Sequence, residues 1–174
     1  MSLPILKSET LFQGKIFNVV RDEVQAPDGR IMQLDVVQHH GAVAFIPVDH
    51  EGRIWLVRQY RHPAGSTLLE IPAGTLEPGE EPKACAIREC REEIGMAPGS
   101  LKYLGGAFLA PGYSSEYLHF FLASELTHAP LEPDADEDLQ VVQMTPGEMR
   151  TAIREGRIID GKTLAALTLM DLSA

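Results

Sequence analysis

Three glutamates lie within five residues near the middle of the chain, at Glu89, Glu92 and Glu93. Their i, i+3, i+4 spacing places the carboxylates on one side of a helix, because an α-helix turns once every 3.6 residues. Like charges at this spacing repel by roughly 0.2 to 0.5 kcal/mol per pair, so the fold gains nothing from a bare cluster. A bound cation removes the repulsion, and Mg²⁺ accepts carboxylate, water and phosphate oxygens. A magnesium ion held by the cluster would neutralise phosphate oxygens and activate a bound water.

An ordinary alternative is a solvated acidic helix face, with Arg88 and Arg91 as its counter-charges. Charge runs of this kind are usually exposed to water and carry no ligand. The three glutamates by themselves favour this alternative, so the metal site depends on the sequence around them.

The helix that positions the glutamates is predicted to run from about Glu81 to Ile94. Pro82 is favoured at a first helical position because its missing N–H has no partner there, and Gly95 is a common stop signal. Ile87, Cys90 and Ile94 fall on a second face of this helix. An apolar face can pack against a sheet and hold the ligands in fixed geometry.

Other elements follow from apolar periodicity. The segments KIFNVVRDEVQAPDG and RIMQLDVVQHH alternate around the turn signal at 27–29 and predict a β-hairpin. GAVAFIPVD and RIWLVRQYR predict buried strands of a central sheet. Further strands are predicted at Leu101–Leu109, Tyr117–Ala123 and Leu139–Met144, and helices at Pro146–Glu155 and Lys162–Leu172. This irregular mixture predicts an α/β sandwich with a mixed sheet.

Composition narrows the classes of function. The chain has 174 residues, is 44% hydrophobic and carries a formal net charge of −10, which argues against nucleic acid polymers as partners. Cys85 and Cys90 lie five residues apart in the predicted helix and match neither a disulfide nor a zinc spacing. A secretion signal and a membrane span have no support, so we expect a cytoplasmic protein with one compact domain.

The sequence around the glutamates resembles the Nudix box. Gly74 is followed after five residues by Glu80, and after seven more by Arg88-Glu89, an apolar residue, any residue, Glu92-Glu93, any residue, Gly95 and an apolar residue. Every fixed position of the box is present between residues 74 and 96. The resemblance therefore implies a Nudix hydrolase with an α/β/α sandwich, a mixed central sheet and an additional N-terminal antiparallel sheet.

The resemblance also implies roles for the residues of the box. Glu89 and Glu93 match glutamates that bind metal, Glu92 matches one that binds metal or a bridging water, and the backbone carbonyl of Ala73 is implied as a further ligand. Two or three Mg²⁺ ions are implied, with Mn²⁺ as a possible substitute. The residues implied to have structural roles are Gly74, Glu80, Arg88 and Gly95, and Arg88 would orient the carboxylates.

Segments outside the box resemble the ADP-ribose pyrophosphatase branch, among them LLEIPAGTLEPGE and RQYRHPAG. Arg61 matches an arginine that contacts the nucleotide, Glu70 a glutamate near the base or terminal ribose, and Pro111 a proline downstream of the box. Arg58 is a weaker candidate for contact with substrate. The implied reaction is hydrolysis of ADP-ribose to AMP and ribose 5-phosphate. GDP-mannose, other nucleotide sugars and dinucleotides remain open, and so does a non-catalytic sensor that binds ADP-ribose.

The general base is expected on an acidic loop, LEPDADEDLQVV, with Glu137 favoured. Ala135 stands where related loops often carry a carboxylate, so Asp136, Glu116 and Glu92 also remain candidates. A mobile acidic loop can carry a base, although such loops are more often merely solvated.

Residues 1–40 are expected to form a separate β segment, and residues 41–174 the Nudix domain. In similar enzymes the first segment builds a sheet that is exchanged across a homodimer. We therefore expect a homodimer, with a lone-chain sheet edge as the alternative.

Overall fold

The computed structural model describes residues 3–132 and 138–172. The strands in these ranges are β1 (Ile5–Gln13), β2 (Phe17–Gln25), β3 (Ile31–His39), β4 (Ala42–Pro47), β5 (Ile54–Arg61), β6 (Ser66–Glu70), β7 (Ala73–Thr75), β8 (Met96–Phe108), β9 (Tyr117–His128) and β10 (Leu139–Met144). The helices are α1 (Pro82–Glu93), α2 (Pro146–Arg154) and α3 (Gly161–Leu172), and a short 3₁₀ turn covers His62–Ala64.

A four-stranded mixed sheet, ordered β7-β4-β9-β8, lies at the centre of the molecule. Strands β4 and β9 are parallel, and the other pairs are antiparallel. Every residue of β4 is buried, and its side chains alternate between two cores. Val43 and Phe45 pack with residues of α1, whereas Ala44 and Ile46 belong to the core that contains residues of α2 and α3. Helices on both faces confirm the predicted α/β/α sandwich with a mixed sheet.

The second sheet is ordered β10-β5-β6 and is antiparallel throughout. The prediction that β5 shares the central sheet with β4 is therefore wrong. Only an isolated bridge between Val48 and Ile54 joins the two strands directly among the described pairs. Burial and β-propensity identify a strand, but neither one specifies which strand it pairs with.

The N-terminal sheet is ordered β1-β2-β3, and its hairpin turns at Gly29, where φ is +87°. This confirms the predicted hairpin and adds β1 at its edge. The sheet is tied to the rest of the chain through β3, because the Val37 amide donates to the Tyr113 carbonyl (2.7 Å) and the Ser115 amide donates to the Val37 carbonyl (2.9 Å). The N-terminal sheet thus holds the loop that connects β8 to β9.

The bounds of several elements differ from the predictions. Strand β8 begins before Pro98. Proline has no backbone N–H, and an edge strand such as β8 tolerates it where no neighbouring strand needs that donor. Strands β6 and β7 were not predicted, since they are short and flanked by Gly or Pro. None of the helices in the described ranges has the length and apolar character to cross a lipid bilayer.

Candidate active site

Helix α1 presents two of its glutamates to the central sheet. The helix begins at Pro82 and is followed by Gly95, whose φ of +69° is the left-handed conformation that glycine adopts most easily. Cys90 packs into the apolar core beneath the helix. Glu89 and Glu93 are 8% and 5% exposed, so these carboxylates are buried in the protein and do not form a solvated acidic face.

Strand β7 lies directly against these carboxylates. The Ala73 amide donates a hydrogen bond to Glu93 Oε2 at 3.0 Å. Ala73 is thereby brought next to a box glutamate, which places its backbone at the candidate metal site. This hydrogen bond joins β7, which contains the first residue of the box, to helix α1.

Gly74 provides the space that Glu89 occupies. A Cβ atom built on Gly74 would overlap with the carboxyl group of Glu89. The backbone of β7 is therefore in close contact with the glutamate, and no larger residue fits without moving that carboxylate. The requirement for glycine at this position is steric, since its φ lies outside the positive range.

Arg88 links the remaining carboxylates of the box. Its Nε and Nη2 donate to the two oxygens of Glu80 at 3.0 and 2.9 Å. Its Nη1 donates to Glu89 Oε1 at 2.7 Å and to Glu92 Oε2 at 2.9 Å. The guanidinium lowers the pKa of the Glu80 carboxyl to about 2, and hydrogen bonding to Glu80 raises the pKa of Arg88. Arg88 thus fixes the orientation of three carboxylates.

These groups suit a hard cation with an open coordination sphere. The donor set offers carboxylate oxygens and a backbone carbonyl, which Mg²⁺ prefers, and it offers them where Gly74 permits close approach. Within residues 3–132 and 138–172, no group of three or more Asp, Glu, His or Cys side chains is arranged so that these side chains alone could cage a metal ion. Mg²⁺ does not require such a cage, because it usually retains waters and binds substrate phosphates.

A cleft of about 510 Å³ opens beside the carboxylates. Its lining residues come from the N-terminal segment, from the β3–β4 junction, from β5 and from the box: Lys15, Ile16, His40, Gln59, Arg61, Ala73, Gly74, Thr75, Leu76, Glu77, Pro78, Arg88 and Glu89. A volume of this size suits a nucleotide-sized ligand. Cationic side chains, among them Lys15 and Arg61, line this cleft together with Glu89 of α1.

Arg61 lines this cleft, and its guanidinium is held by a buried carboxylate. Its Nε and Nη2 donate to the two oxygens of Glu70 at 2.8 and 3.1 Å. Glu70 is 1% exposed, and Lys162 of α3 also binds its Oε2. Burial lowers the pKa of Arg61, but the hydrogen bonds to Glu70 together with the attraction of the nearby carboxylates raise it overall. Glu70 therefore holds Arg61 from within the protein, and its expected position near the base or terminal ribose stays a prediction.

Three of the other predicted residues, Arg58, Pro111 and Glu116, do not line the cleft. Arg58 is exposed and lines a different surface pocket with Leu68 and Arg157, because side chains alternate across a strand and Arg58 points away from the side of Arg61. Its expected contact with substrate stays a prediction. Pro111 lies in the exposed β8–β9 loop, and Glu116 lies at the end of that loop. Glu137, Asp136 and Ala135 lie outside the described residues.

Several cleft residues were not singled out from the sequence. Lys15, Ile16 and Gln59 carry no motif, and only the tertiary fold brings them to the box. The sequence contains one weak indication of the role of Lys162, namely its place in the first turn of a predicted helix. A lysine in the first turn of a helix faces the positive end of the helix dipole, so its presence there calls for a buried anionic partner.

Comparison with known proteins agrees with this geometry. The profile of the NUDIX domain matches residues 38–167, and that of the nucleoside diphosphate sugar hydrolase N-terminal domain matches residues 5–32. The chain is 36% identical to an ADP-ribose pyrophosphatase of Bacillus subtilis, across 96% of this chain and 91% of that protein. It is 33% identical to a GDP-mannose pyrophosphatase of Yersinia enterocolitica, across 74% and 71%.

One solved structure shares the fold over nearly its whole length. It is described as an ADP compounds hydrolase and superposes with a TM-score of 0.85, covering 98% of this chain and 93% of that one. At 24% identity, this likeness concerns the fold alone.

Proposed function

The chain belongs to the NUDIX domain family, and from this premise we propose that it hydrolyses ADP-ribose to AMP and ribose 5-phosphate in a reaction that requires Mg²⁺. One observation carries the proposal. Buried Glu89 and Glu93 lie against the backbone of β7, and Glu89, Ala73 and Gly74 line the same cleft as the cationic side chain of Arg61. The arrangement suits a diphosphate held between metal ions and an arginine.

The metal ions would be held by Glu89, Glu92, Glu93 and the carbonyl oxygen of Ala73. When bound, they would neutralise the pyrophosphate oxygens and lower the pKa of the attacking water. Arg88 contacts one oxygen of Glu89 and one of Glu92 in its described bonds, which is compatible with carboxylates that also bind cations. We propose two or three Mg²⁺ ions, and Mn²⁺ as a substitute.

The nucleotide would be oriented by Arg61. Its described hydrogen bonds use Nε and Nη2, both to Glu70, so the Nη1 edge is available to a ligand in the cleft. A guanidinium can bind a phosphate through paired hydrogen bonds, and a rigidly held one loses little conformational entropy when it does so. We keep Pro111 as a proposed substrate neighbour through the β8–β9 loop.

The general base is proposed to be Glu137, which lies outside the described residues. It would accept a proton from the attacking water. Glu92 is the alternative on the box helix, where Arg88 holds it at 2.9 Å. Glu116 is the alternative on the β8–β9 loop. Substitution of each residue by Gln in one assay distinguishes them.

The N-terminal segment, residues 1–40, is proposed to join two chains into a homodimer. All nine residues of β1 are exposed, including Ile5, Leu6, Leu11 and Phe12. An exposed apolar sheet is a common mark of an interface between protein chains. A monomer at micromolar concentration in sedimentation velocity would contradict this part of the proposal.

Substrate choice is tested by comparing kcat/KM for ADP-ribose and GDP-mannose with purified protein and Mg²⁺. We expect ADP-ribose to be preferred by at least about tenfold, which corresponds to about 1.4 kcal/mol of transition-state stabilisation. Equal or lower kcat/KM for ADP-ribose would refute the proposed substrate. Cleavage of GDP-mannose would then support the nucleotide-sugar alternative, which has a named relative.

A further inference from the structure

Lys162 is a lysine with a largely buried side chain, which is only 10% exposed. It is the second residue of α3, where the helix dipole disfavours a cation. Burial of a charge also has a substantial desolvation cost unless the charge is paired. The structure supplies two partners for the ammonium group, Glu70 and Asp160, the latter at 3.2 Å.

Glu70 is shared by two cations. Arg61 binds both of its oxygens from β5, and Lys162 binds Oε2 from α3. The carboxylate is fully buried, so its orientation is set by these partners and not by water. With Asp160 included, the cluster contains two cations and two anions and is electrically balanced.

The first turn of α3 is fixed to the same region by a second set of bonds. Thr163 Oγ1 accepts from the Ile71 amide at 2.9 Å and donates to Asp160 Oδ2 at 2.6 Å. Asp160 also accepts from the Thr163 amide at 2.9 Å, which satisfies an N-terminal N–H of the helix. Ile71 directly follows Glu70 in the chain. The position of Lys162 relative to Glu70 is therefore rigidly defined.

We propose that Lys162 is a positioning residue for substrate binding. By holding the Glu70 carboxylate in one orientation, it fixes the Arg61 guanidinium at the wall of the cleft. Lys162 does not line that cleft itself and acts through the other two residues. The inference rests on the proposed role of Arg61 in substrate binding. It gives α3, which lies outside the box, an indirect part in the geometry of the site.

The test compares Lys162→Met with the wild type and with Lys83→Met. Lys83 is the matched control, because it is the second residue of α1, another helix of 12 residues, and it is exposed. Lys162→Met is expected to raise KM by about tenfold while kcat changes by less than about threefold, since a contact made equally in the ground and transition states affects KM alone. Lys83→Met should leave both within about twofold.

A second comparison separates positioning from general loss of structure. In a Glu70→Gln background, Lys162→Met should change KM by less than about twofold, because residues that act through one contact are not additive. Thermal unfolding of each variant checks that it is folded. If Lys162→Met alone does not fold, the KM of Glu70→Gln is compared with the KM of the double variant. A difference of more than about twofold would then contradict the positioning role of Lys162.

Two results would overturn the proposal. One is an unchanged KM in folded Lys162→Met. The other is a fold-increase in KM of the double variant that equals the product of the fold-increases of the two single variants. The assays use whichever diphosphate the wild type cleaves. Failure of ADP-ribose as substrate would thus refute the proposed function without deciding the role of Lys162.

Discussion

Glu93→Gln is expected to lower kcat by at least about a hundredfold. The substitution removes one negative charge from the proposed metal site, and stabilisation of transition-state charge by a metal contributes several kcal/mol, of which about 3 kcal/mol corresponds to a hundredfold. Gln retains a side-chain oxygen that can accept from the Ala73 amide, so the fold around β7 should persist. Steady-state kinetics over a range of Mg²⁺ concentrations would measure the effect, with a higher Mg²⁺ requirement expected for the variant.

Glu81→Gln is the matched control. Glu81 precedes the same helix, is exposed and makes no side-chain capping bond. Its loss of charge should change kcat by less than about twofold. Equal losses in Glu81→Gln and Glu93→Gln would mean that the overall charge of α1 matters, and would contradict a specific role for Glu93.

Glu137→Gln should be measured together with Glu93→Gln, because the two variants distinguish the loss of a general base from the loss of a metal ligand. General base catalysis typically contributes about a hundredfold or more, so kcat should fall by roughly that factor while the Mg²⁺ requirement stays unchanged. A loss of less than about tenfold would transfer the role to Glu116 or Glu92, whichever Gln variant shows the larger loss.

Gly74→Ala is expected to lower kcat/KM by roughly tenfold to a hundredfold. The added methyl group overlaps with the Glu89 carboxyl group, which must move away from Arg88 and from the proposed metal position. Misplacement of a catalytic group by about 1 Å can cost a hundredfold in rate. Because the nearest overlapping atoms all belong to the Glu89 side chain and none to the backbone, the protein should still fold, and circular dichroism would verify it.

Gly147→Ala provides the control for this substitution. Gly147 lies in the first turn of α2, and a Cβ there would lie no closer than 3.9 Å to a neighbouring atom, Thr145 Oγ1. Alanine is favoured over glycine in a helix, so stability should not fall. A Gly74→Ala variant as active as Gly147→Ala would contradict the close packing of β7 against Glu89.

The sequence predicted the box helix and its surroundings well because their signals are local. Pro82 and Gly95 mark the ends of α1, and the bounds predicted for β10, Leu139–Met144, match the structure. The spacing of Glu89 and Glu93 predicted one shared helix face, and both side chains lie against the backbone of β7. Their burial could not be predicted from spacing, because it depends on β7, a strand of three residues that pairs with β4.

Features that the sequence did not predict depend mainly on long-range contacts, and the facing of Arg58 is an exception. Arg58 and Arg61 look equivalent as cations near the end of one strand, yet their side chains point to opposite faces. Strand alternation already implied this difference. By contrast, the pairing of Glu70 with Lys162 joins residues 92 positions apart, and the separation of β4 and β5 into two sheets depends on β10. No local pattern in the sequence contains that information.

A non-catalytic sensor of ADP-ribose remains the principal alternative from another functional class. Such a protein needs the cleft and Arg61 but has no need of a metal site. The close packing of Gly74 against Glu89 and the three carboxylates held by Arg88 are better explained by catalysis. The two alternatives therefore make opposite predictions about turnover.

Chromatographic analysis of the products formed from ADP-ribose, before and after Mg²⁺ is added to metal-free protein, tests the account most directly. We predict equal amounts of AMP and ribose 5-phosphate after Mg²⁺ addition, and intact ADP-ribose before it. ADP-ribose that binds to the folded protein but stays uncleaved at every Mg²⁺ or Mn²⁺ concentration would contradict the account and support a sensor.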